Sequence, residues 1–230
     1  GIPLAFCINK GNTNEQVTLK PLEEKIISDF KLSEFVVCTD AGLASAANRK
    51  FNNIKNRSFI TTQSIKKLKK HLKDWSLDPT GWKLSGSDKT FNIGELKEEN
   101  DIKNTFYKER WIKEDGLEQK LIVTFSLKYK KYQSTIRSRQ VERAQNTINN
   151  TPTKLKKCNA NDYKRFITKS NCTADGEVAD KEILSIDTSL IEQEAAYDGF
   201  YAVCTNLEDD APEIIKVNQK RWEIEECFRI

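Results

Sequence analysis

The 230-residue sequence contains no methionine and a single histidine, His71. One histidine excludes metal sites built from several histidines. Because His71 lies in a lysine-rich predicted helix, it also argues against a catalytic triad with a histidine base. The six cysteines form no CxxC pair and no tight spacing, which argues against a zinc site or a disulfide framework. Cys7, Cys38 and Cys204 lie within apolar runs, which predicts buried thiols in a reducing compartment.

Long apolar runs are also missing, since none approaches the roughly 18 residues that a membrane span needs, and no signal peptide is visible. Hydrophobic residues make up 37% of the chain and charged residues 31%, which is typical of a soluble, rather polar globular protein. The length fits one large domain or a core with a sizeable insertion. Because the sequence starts mid-domain, lacks methionine and stops inside a predicted helix, we expect a fragment of a longer protein.

The net charge of +4 is modest, but the positive charge is clustered. Basic blocks with interleaved tyrosines suit a phosphate backbone, although a solvated helix face has the same composition. His71 lies in one of these blocks and is predicted to be a surface residue. The basic blocks are IKKLKKHLK (65–73), LKYKKY (127–132) and KLKKCNANDYKR (154–165), and LEDDAPE (207–213) is acidic.

The first third of the chain alternates short strand and helix patterns, which predicts a layered α/β core with some parallel pairing. The predicted strands are 2–9, 34–40 and 57–62, and the predicted helices are 19–32, 41–51 and 63–74. Asp40 ends the second strand, the position where such sheets bind ligands. The alternative role of Asp40 is a helix N-cap.

From residue 76 to residue 196 the pattern favours strands and shows no catalytic spacing. Predicted strands span 101–113, with a turn at Glu114–Asp115–Gly116, then 120–132 and 184–190, and a polar helix spans about 133–149. We therefore predict a core made of 1–75 and 197–230, interrupted by a strand-rich insertion at 76–196. A last buried strand is predicted at 199–205.

The stretch 211–230 has the periodicity of an amphipathic helix, with Pro212 in its first turn. Four polar residues lie in the middle of its apolar face: Asn218, Arg221, Glu225 and Arg229. A carboxylate there is costly unless it meets a cation, a metal or good donors. The simpler interpretation is an Arg221–Glu225 ion pair on one helix face, worth a few tenths of a kcal/mol.

Several motifs occur together in order: GIPLAF (1–6), Gly11–Asn12 with Glu15 and Thr18–Leu19, VVCTDAGLAS (36–45), YDGFYAVCTNL (197–207) and NxxRWxIExxFR (218–229). In these motifs the chain resembles the catalytic domain of the DDE transposases of bacterial insertion sequences, in the insertion-sequence-four superfamily. The resemblance covers nearly the whole chain and is strongest at both ends.

The resemblance implies a ribonuclease-H-like mixed sheet flanked by helices, in which acidic residues bind two divalent ions, Mg²⁺ or Mn²⁺. Asp40 and Glu225 match two of the three catalytic, metal-binding carboxylates. Arg221 matches an arginine that holds the DNA end, and Asn218 and Arg229 are assigned to DNA with it. Asn218 departs from the family's tyrosine, and the family's first aspartate has no counterpart among the acidic residues before Asp40.

The resemblance further implies double-stranded DNA as partner, at transposon ends and target, a homodimer on paired ends, and a bacterial cytoplasmic location near the nucleoid. The leading hypothesis is a transposase fragment that is inactive alone, whose parent hydrolyses and transfers DNA strands. One alternative is a DNA-binding remnant without catalytic activity. Another is a structural protein whose acidic residues are incidental caps and ion pairs.

Overall fold

The computed structural model describes residues 5–54, 56–150, 159, 161–172 and 178–221, with the backbone alone at 171–172 and 178–182. The helices are α1 Glu15–Phe30, α2 Ala46–Phe51, α3 Lys70–Leu77, α4 Glu98–Asp101, α5 Leu127–Asn150, α6 Thr188–Ala195 and α7 Ala211–Gln219. The strands are β1 Phe35–Thr39, β2 Arg57–Thr62, β3 Trp82–Leu84, β4 Ser87–Phe91, β5 Phe106–Glu114, β6 Leu117–Phe125, β7 Ile167–Cys172, β8 Val178–Ile186 and β9 Phe200–Thr205.

Seven strands form one mixed sheet in the order β1-β2-β9-β6-β5-β3-β4, and β7 and β8 form a separate hairpin. β1 and β2 are parallel, whereas β2 pairs antiparallel with β9, and β5 with β6. The predicted α/β class, a mixed sheet flanked by helices, is confirmed. Among the described helices, none has the combination of length and apolar composition that crossing a bilayer requires.

The chain divides into two compact units. Unit 1 takes its described residues from 1–97, 104–125 and 201–230, and unit 2 from 98–103 and 126–200. Strands β3 to β6 fall within the predicted insertion at 76–196, yet they belong to the same sheet as β1 and β2. The sheet of unit 1 therefore continues past the predicted boundary at residue 75.

Side chains alternate between the two faces of the unit 1 sheet, as the period of two in a strand requires. On one face, Ile60, Ile122 and Val203 pack against Ala211 and Ile214 of α7. The residues one position away along β1 and β2 face the opposite side. They share a small space with Leu19 of α1, with Asn48 of α2 and with Asn52, which caps α2, and they are Val37, Thr39, Phe59 and Thr61. The sheet therefore lies between α7 on one face and α1 with α2 on the other.

Helix α1 begins four residues before the predicted start at 19. The Asn14 side chain accepts a hydrogen bond from the Gln16 amide at 3.0 Å, and this N-cap fixes the first turn. Pro21 consequently lies inside the helix rather than near its start. The helix ends at Lys31, whose left-handed backbone (φ 51°) closes the last turn.

The β5–β6 hairpin contains the predicted turn at Asp115 and Gly116, which both have positive φ, 52° and 74°. An Asp-Gly pair is favoured in such two-residue turns because both positions need a left-handed backbone. The strand predicted at 120–132, however, ends at Phe125. Ser126 accepts a 2.9 Å backbone bond from Lys130 and starts α5, so the alternating pattern beyond it lies on a helix.

The structure corrects two further strand predictions. The strand predicted at 184–190 ends at Ile186, because the Asp187 side chain caps α6 by accepting from the Leu190 amide at 2.9 Å. In the segment predicted as a strand at 2–9, the described residues 5–9 form none. An apolar run forms a strand only where another strand offers its backbone hydrogen bonds. Phe6 in this segment is accordingly 82% exposed.

Unit 2 contains a buried ion pair between Arg137 of α5 and Asp198. Both guanidinium Nη atoms donate to the carboxylate, and the Nη1–Oδ1 distance is 2.7 Å. This hydrogen-bonded pairing raises the pKa of Arg137 above its usual value. The pair fixes the turn before β9 to the middle of the long helix.

Replacing Arg137 with Met should lower the free energy of unfolding by about 3–5 kcal/mol, because a buried Asp198 would lose its cation. The control is Lys25→Met, which breaks the exposed Lys25–Asp29 pair and should cost less than about 0.5 kcal/mol. Urea denaturation followed by circular dichroism measures both. Equal small losses in the two variants would contradict a stabilising role for the buried pair.

A second buried carboxylate lies in unit 1, where Glu23 of α1 accepts hydrogen bonds from the Asn52 amide at 3.1 and 2.9 Å. Burial raises the pKa of Glu23 above its usual value of 4.5, although Asn52 and the charges of Arg57 and Lys20 oppose the shift. The folded state therefore favours the protonated acid, and its contribution to stability is lost as pH rises through the folded pKa.

The substitution Glu23→Gln removes this titration. We expect the unfolding free energy of the variant to rise relative to that of the unmodified protein between about pH 4 and pH 7, because only Glu23 pays for ionisation in a buried place. Asp88→Asn, at an exposed position of β4, is the control, because the nearer Glu24 itself contributes to the pKa shift of Glu23. A difference that is constant across this range would show that Glu23 ionises as readily folded as unfolded.

Candidate active site

Asp40 lies at the carboxyl end of β1, beside the end of the parallel strand β2. Thr39 and Thr61 are partners in the parallel register, and their hydroxyls hydrogen-bond at 2.9 Å. The Asp40 Oδ1 accepts from the amides of Gly42 and Leu43, at 2.9 and 3.2 Å. The N-cap interpretation of Asp40 is thus confirmed for the short 3₁₀ turn at Ala41–Leu43. Oδ1 makes both bonds, and among the described residues Oδ2 accepts no hydrogen bond, which leaves it to another ligand.

Two side chains hold the turn after Asp40 in place. Gln16 of α1 donates to the Gly42 carbonyl at 2.6 Å. The buried Asn48 donates to the Leu43 carbonyl at 3.0 Å and to the Gln16 carbonyl at 3.1 Å. Both helices on this face of the sheet therefore fix the loop that carries Asp40.

Gly42 leaves space between two carboxylates. A Cβ at this position would lie 3.2 Å from Asp40 Oδ1 and 3.5 Å from Glu15 Oε2, so a side chain there would fill the gap. Glu15 lies in the first turn of α1. Sequence patterns give Glu15 no place in the site, because it lies on no predicted strand before Asp40, but α1 begins earlier than the periodicity predicts and brings Glu15 to the end of β1.

The last helix is positioned by hydrogen bonds to the acidic turn that precedes it. Lys120 of β6 is buried and donates to the carbonyls of Glu208 and Asp209, at 3.1 and 2.8 Å. Asn206 accepts from the Phe59 amide at 2.9 Å, which joins the start of this turn to β2. Hydrogen bonds to the residues that precede α7 therefore fix where the helix starts on the sheet.

Asn218, near the end of α7, lies against β1 and β9. Its Oδ1 accepts from the Cys38 thiol at 3.6 Å, and its Nδ2 donates to the Tyr201 hydroxyl at 3.5 Å. Tyr201 in turn shares a 2.6 Å hydrogen bond with Thr62 of β2. Asn218 is only 5% exposed, so its amide is used to hold the helix on the sheet.

Charge near this contact comes from Arg221. Burial raises the pKa of the Cys38 thiol, and the positive charge of Arg221 lowers it by a smaller amount. Burial raises the pKa of Cys204 to about 12. Both thiols are therefore neutral at physiological pH and unsuited to act as nucleophiles. Cys204 is buried as predicted and Cys38 is half-buried, but the prediction for Cys7 is wrong, because Cys7 is exposed.

The other two residues assigned to the site, Glu225 and Arg229, lie outside the described residues. The structure therefore gives no distance between the Asp40 and Glu225 carboxylates. Within the ranges that the structure covers, no three His, Cys, Asp or Glu side chains come together as a metal-binding group. The described part of the site thus consists of two pairs of residues. Asp40 and Glu15 lie at the carboxyl end of β1, and Asn218 and Arg221 lie near Cys38.

A separate basic surface lies in unit 2. Lys128, Lys131 and Arg139 of α5 line a cleft of about 530 Å³ with Lys103 and Tyr132. Tyr132 is 60% exposed and stacks on Tyr129, with ring centroids 6.3 Å apart and planes 18° apart. Exposed aromatic faces among cations suit nucleic acid, which offers bases to stack and phosphates to pair.

His71, in unit 1, is exposed, as predicted.

Comparisons with models of known protein families, with curated proteins and with solved structures found no match.

Replacing Asn218 with Ala should lower the free energy of unfolding by about 1–3 kcal/mol, because the thiol of Cys38 and the hydroxyl of Tyr201 lose a buried partner. It should also make Cys38 react faster with iodoacetamide, since the helix no longer covers it. Val217→Ala, at the exposed neighbouring position, is the control and should change neither quantity much. Unfolding and alkylation that match those of the control would show that Asn218 does not hold the helix.

Proposed function

We propose that this chain is part of a DDE-type transposase, whose ribonuclease-H-like core uses Asp40 and Glu225 in metal-dependent hydrolysis and transfer of DNA strands. The observation that carries the proposal is the contact between Cys38 and Asn218, which are 180 residues apart in sequence. It brings the helix with the NxxR motif to the strand that ends in Asp40. The resemblance in sequence requires these two motifs to share one site.

The residues at the end of β1 fit a divalent ion of the Mg²⁺ type. Such ions prefer oxygen ligands and keep several waters, so a few carboxylates suffice to bind them. Asp40 keeps Oδ2 for this purpose, and Gly42 leaves clear the space between Asp40 and Glu15. When bound, the ion would activate water or a 3′-hydroxyl and neutralise charge on the phosphate.

In this proposal the protein contributes position more than covalent chemistry. Asp40 and Glu225 would hold the ions, with Glu15 beside Asp40 as a further carboxylate. Arg221 would hold the phosphate backbone of the DNA end, as an arginine does in the family that the motif resembles. Asn218 is buried against the sheet, so its contribution is to hold the helix that carries Arg221. Neutral Cys38 and Cys204 take no part in the chemistry.

Double-stranded DNA is the proposed partner. The cleft of α5, with its cations and exposed Tyr132, offers unit 2 a surface for nucleic acid that does not depend on the metal site. That surface is the observation that favours the second candidate, a DNA-binding remnant without catalytic activity. Assembly as a homodimer on paired ends, and a cytoplasmic location, follow from the resemblance and belong to the same proposal.

The substitution Asp40→Asn tests the metal site in this chain. It keeps an oxygen that can cap the 3₁₀ turn but removes the charge, so we expect Mn²⁺ affinity to fall by more than about tenfold, since losing even an outer partner of a metal ligand costs 10- to 100-fold. Isothermal titration with Mn²⁺ measures it. Asp88→Asn, on an exposed strand position, is the matched control.

Unchanged Mn²⁺ affinity in Asp40→Asn would remove Asp40 from the metal site. If the chain binds DNA with a steep salt dependence but binds no Mn²⁺, the DNA-binding remnant is the better description.

A further inference from the structure

A polar cavity of about 280 Å³ lies in unit 1 at the carboxyl ends of β1 and β2. Ala44, four residues after Asp40, and Gln63, which follows β2, line one side. The turn of the β5–β6 hairpin lines the other. One water occupies about 30 Å³, so the cavity has room for an ion with several atoms.

Three cations line this cavity: Arg49 of α2, and Lys67 and Lys69 in the segment between β2 and α3. Glu114 and Asp115 of the hairpin turn oppose them. Lys69 Nζ lies 4.0 Å from Glu114 Oε1, at the limit of an ion pair. In the part of the chain that the structure describes, no carboxylate pairs with Arg49 or Lys67, so the lining keeps an excess of positive charge.

The Arg49 guanidinium is held in place by neutral groups. Its Nη1 donates to Gln119 Oε1 at 3.1 Å, and its Nη2 donates to Gln63 Oε1 at 2.6 Å. Gln119 is buried, and the Cys204 thiol lies 3.8 Å from the same Gln63 oxygen. Because Cys204 is a neutral thiol, it leaves the charge of Arg49 uncompensated.

The arrangement selects for an anion. Amide oxygens orient a guanidinium without neutralising it, and a cation partly removed from water attracts an anion more strongly than one in bulk solvent. Arginine presents parallel N–H groups that match the oxygens of a phosphate, and lysine adds mobile point charges. The Arg49 Nε has no hydrogen-bond partner among the described residues.

We propose that this cavity binds a phosphate group, with Arg49 as the fixed donor and Lys67 and Lys69 as flexible ones. The bound group is either a phosphate of the DNA backbone or a free phosphate ion, and the same cations would recognise both. The site shares the DNA partner of the proposed function but does not depend on its metal chemistry.

The test uses the double variant Lys67→Gln with Lys69→Gln. Both lysines are exposed, so their replacement leaves the packed core intact. The control carries the same change of charge at exposed positions of unit 1 outside the cavity, as Lys70→Gln with Lys89→Gln. One arm measures inorganic phosphate binding by isothermal titration. The other measures binding of a labelled 20-base-pair duplex by fluorescence anisotropy over a series of salt concentrations.

If DNA supplies the phosphate, the salt dependence of duplex binding should become shallower by about 0.9 in log–log slope for one lost phosphate contact, beyond any change in the control. If free phosphate is the ligand, the cavity variant should lose phosphate binding while its duplex slope matches that of the control. Either result supports the site. The proposal is overturned if the cavity variant equals the control in both arms, and Mn²⁺ binding through Asp40 would be unaffected by that outcome.

Discussion

The described part of the candidate site depends on one contact, the seating of Asn218 of α7 against Cys38 of β1 and Tyr201 of β9. Helix α7 follows the last strand of the sheet, while β1 comes near the start of the chain, so local sequence does not bring them together. A buried amide has to find partners, because leaving its donors and acceptors unpaired costs more than an ordinary hydrogen bond supplies. Asn218 meets this requirement only where the helix crosses the end of β1.

The side chains near this contact divide into a neutral interior and charged ends. Burial keeps the thiols of Cys38 and Cys204 protonated, so neither adds a negative charge beside α7. Carboxylates appear where β1 ends, at Asp40 and across Gly42 at Glu15. Polar groups at the carboxyl ends of parallel strands occupy the position at which open α/β folds bind ligands.

Much of the fold could be predicted because the governing signals are local. β2 was predicted at its observed bounds, and the Asp115–Gly116 turn follows from the two positions that need a left-handed backbone. Errors arose where a cap outweighed periodicity, as at Asn14, Ser126 and Asp187, because one side-chain bond decides where a helix starts. The proximity of Glu15 to Asp40 and the joining of β3 to β6 with the core sheet depend on tertiary packing, which no local pattern encodes.

Opposite charges meet at the carboxyl ends of β1 and β2. Asp40 and Glu15 lie beside Gly42. Ala44, two residues after Gly42, lines the cavity that also contains Arg49, Lys67 and Lys69. In the function that we propose, a phosphodiester would suit this pair of regions, because the cations would attract its charge and a metal held by the carboxylates would neutralise charge on its oxygens. Asp40 belongs to the first region and Arg49 to the second, so the segment that joins them carries one residue of each.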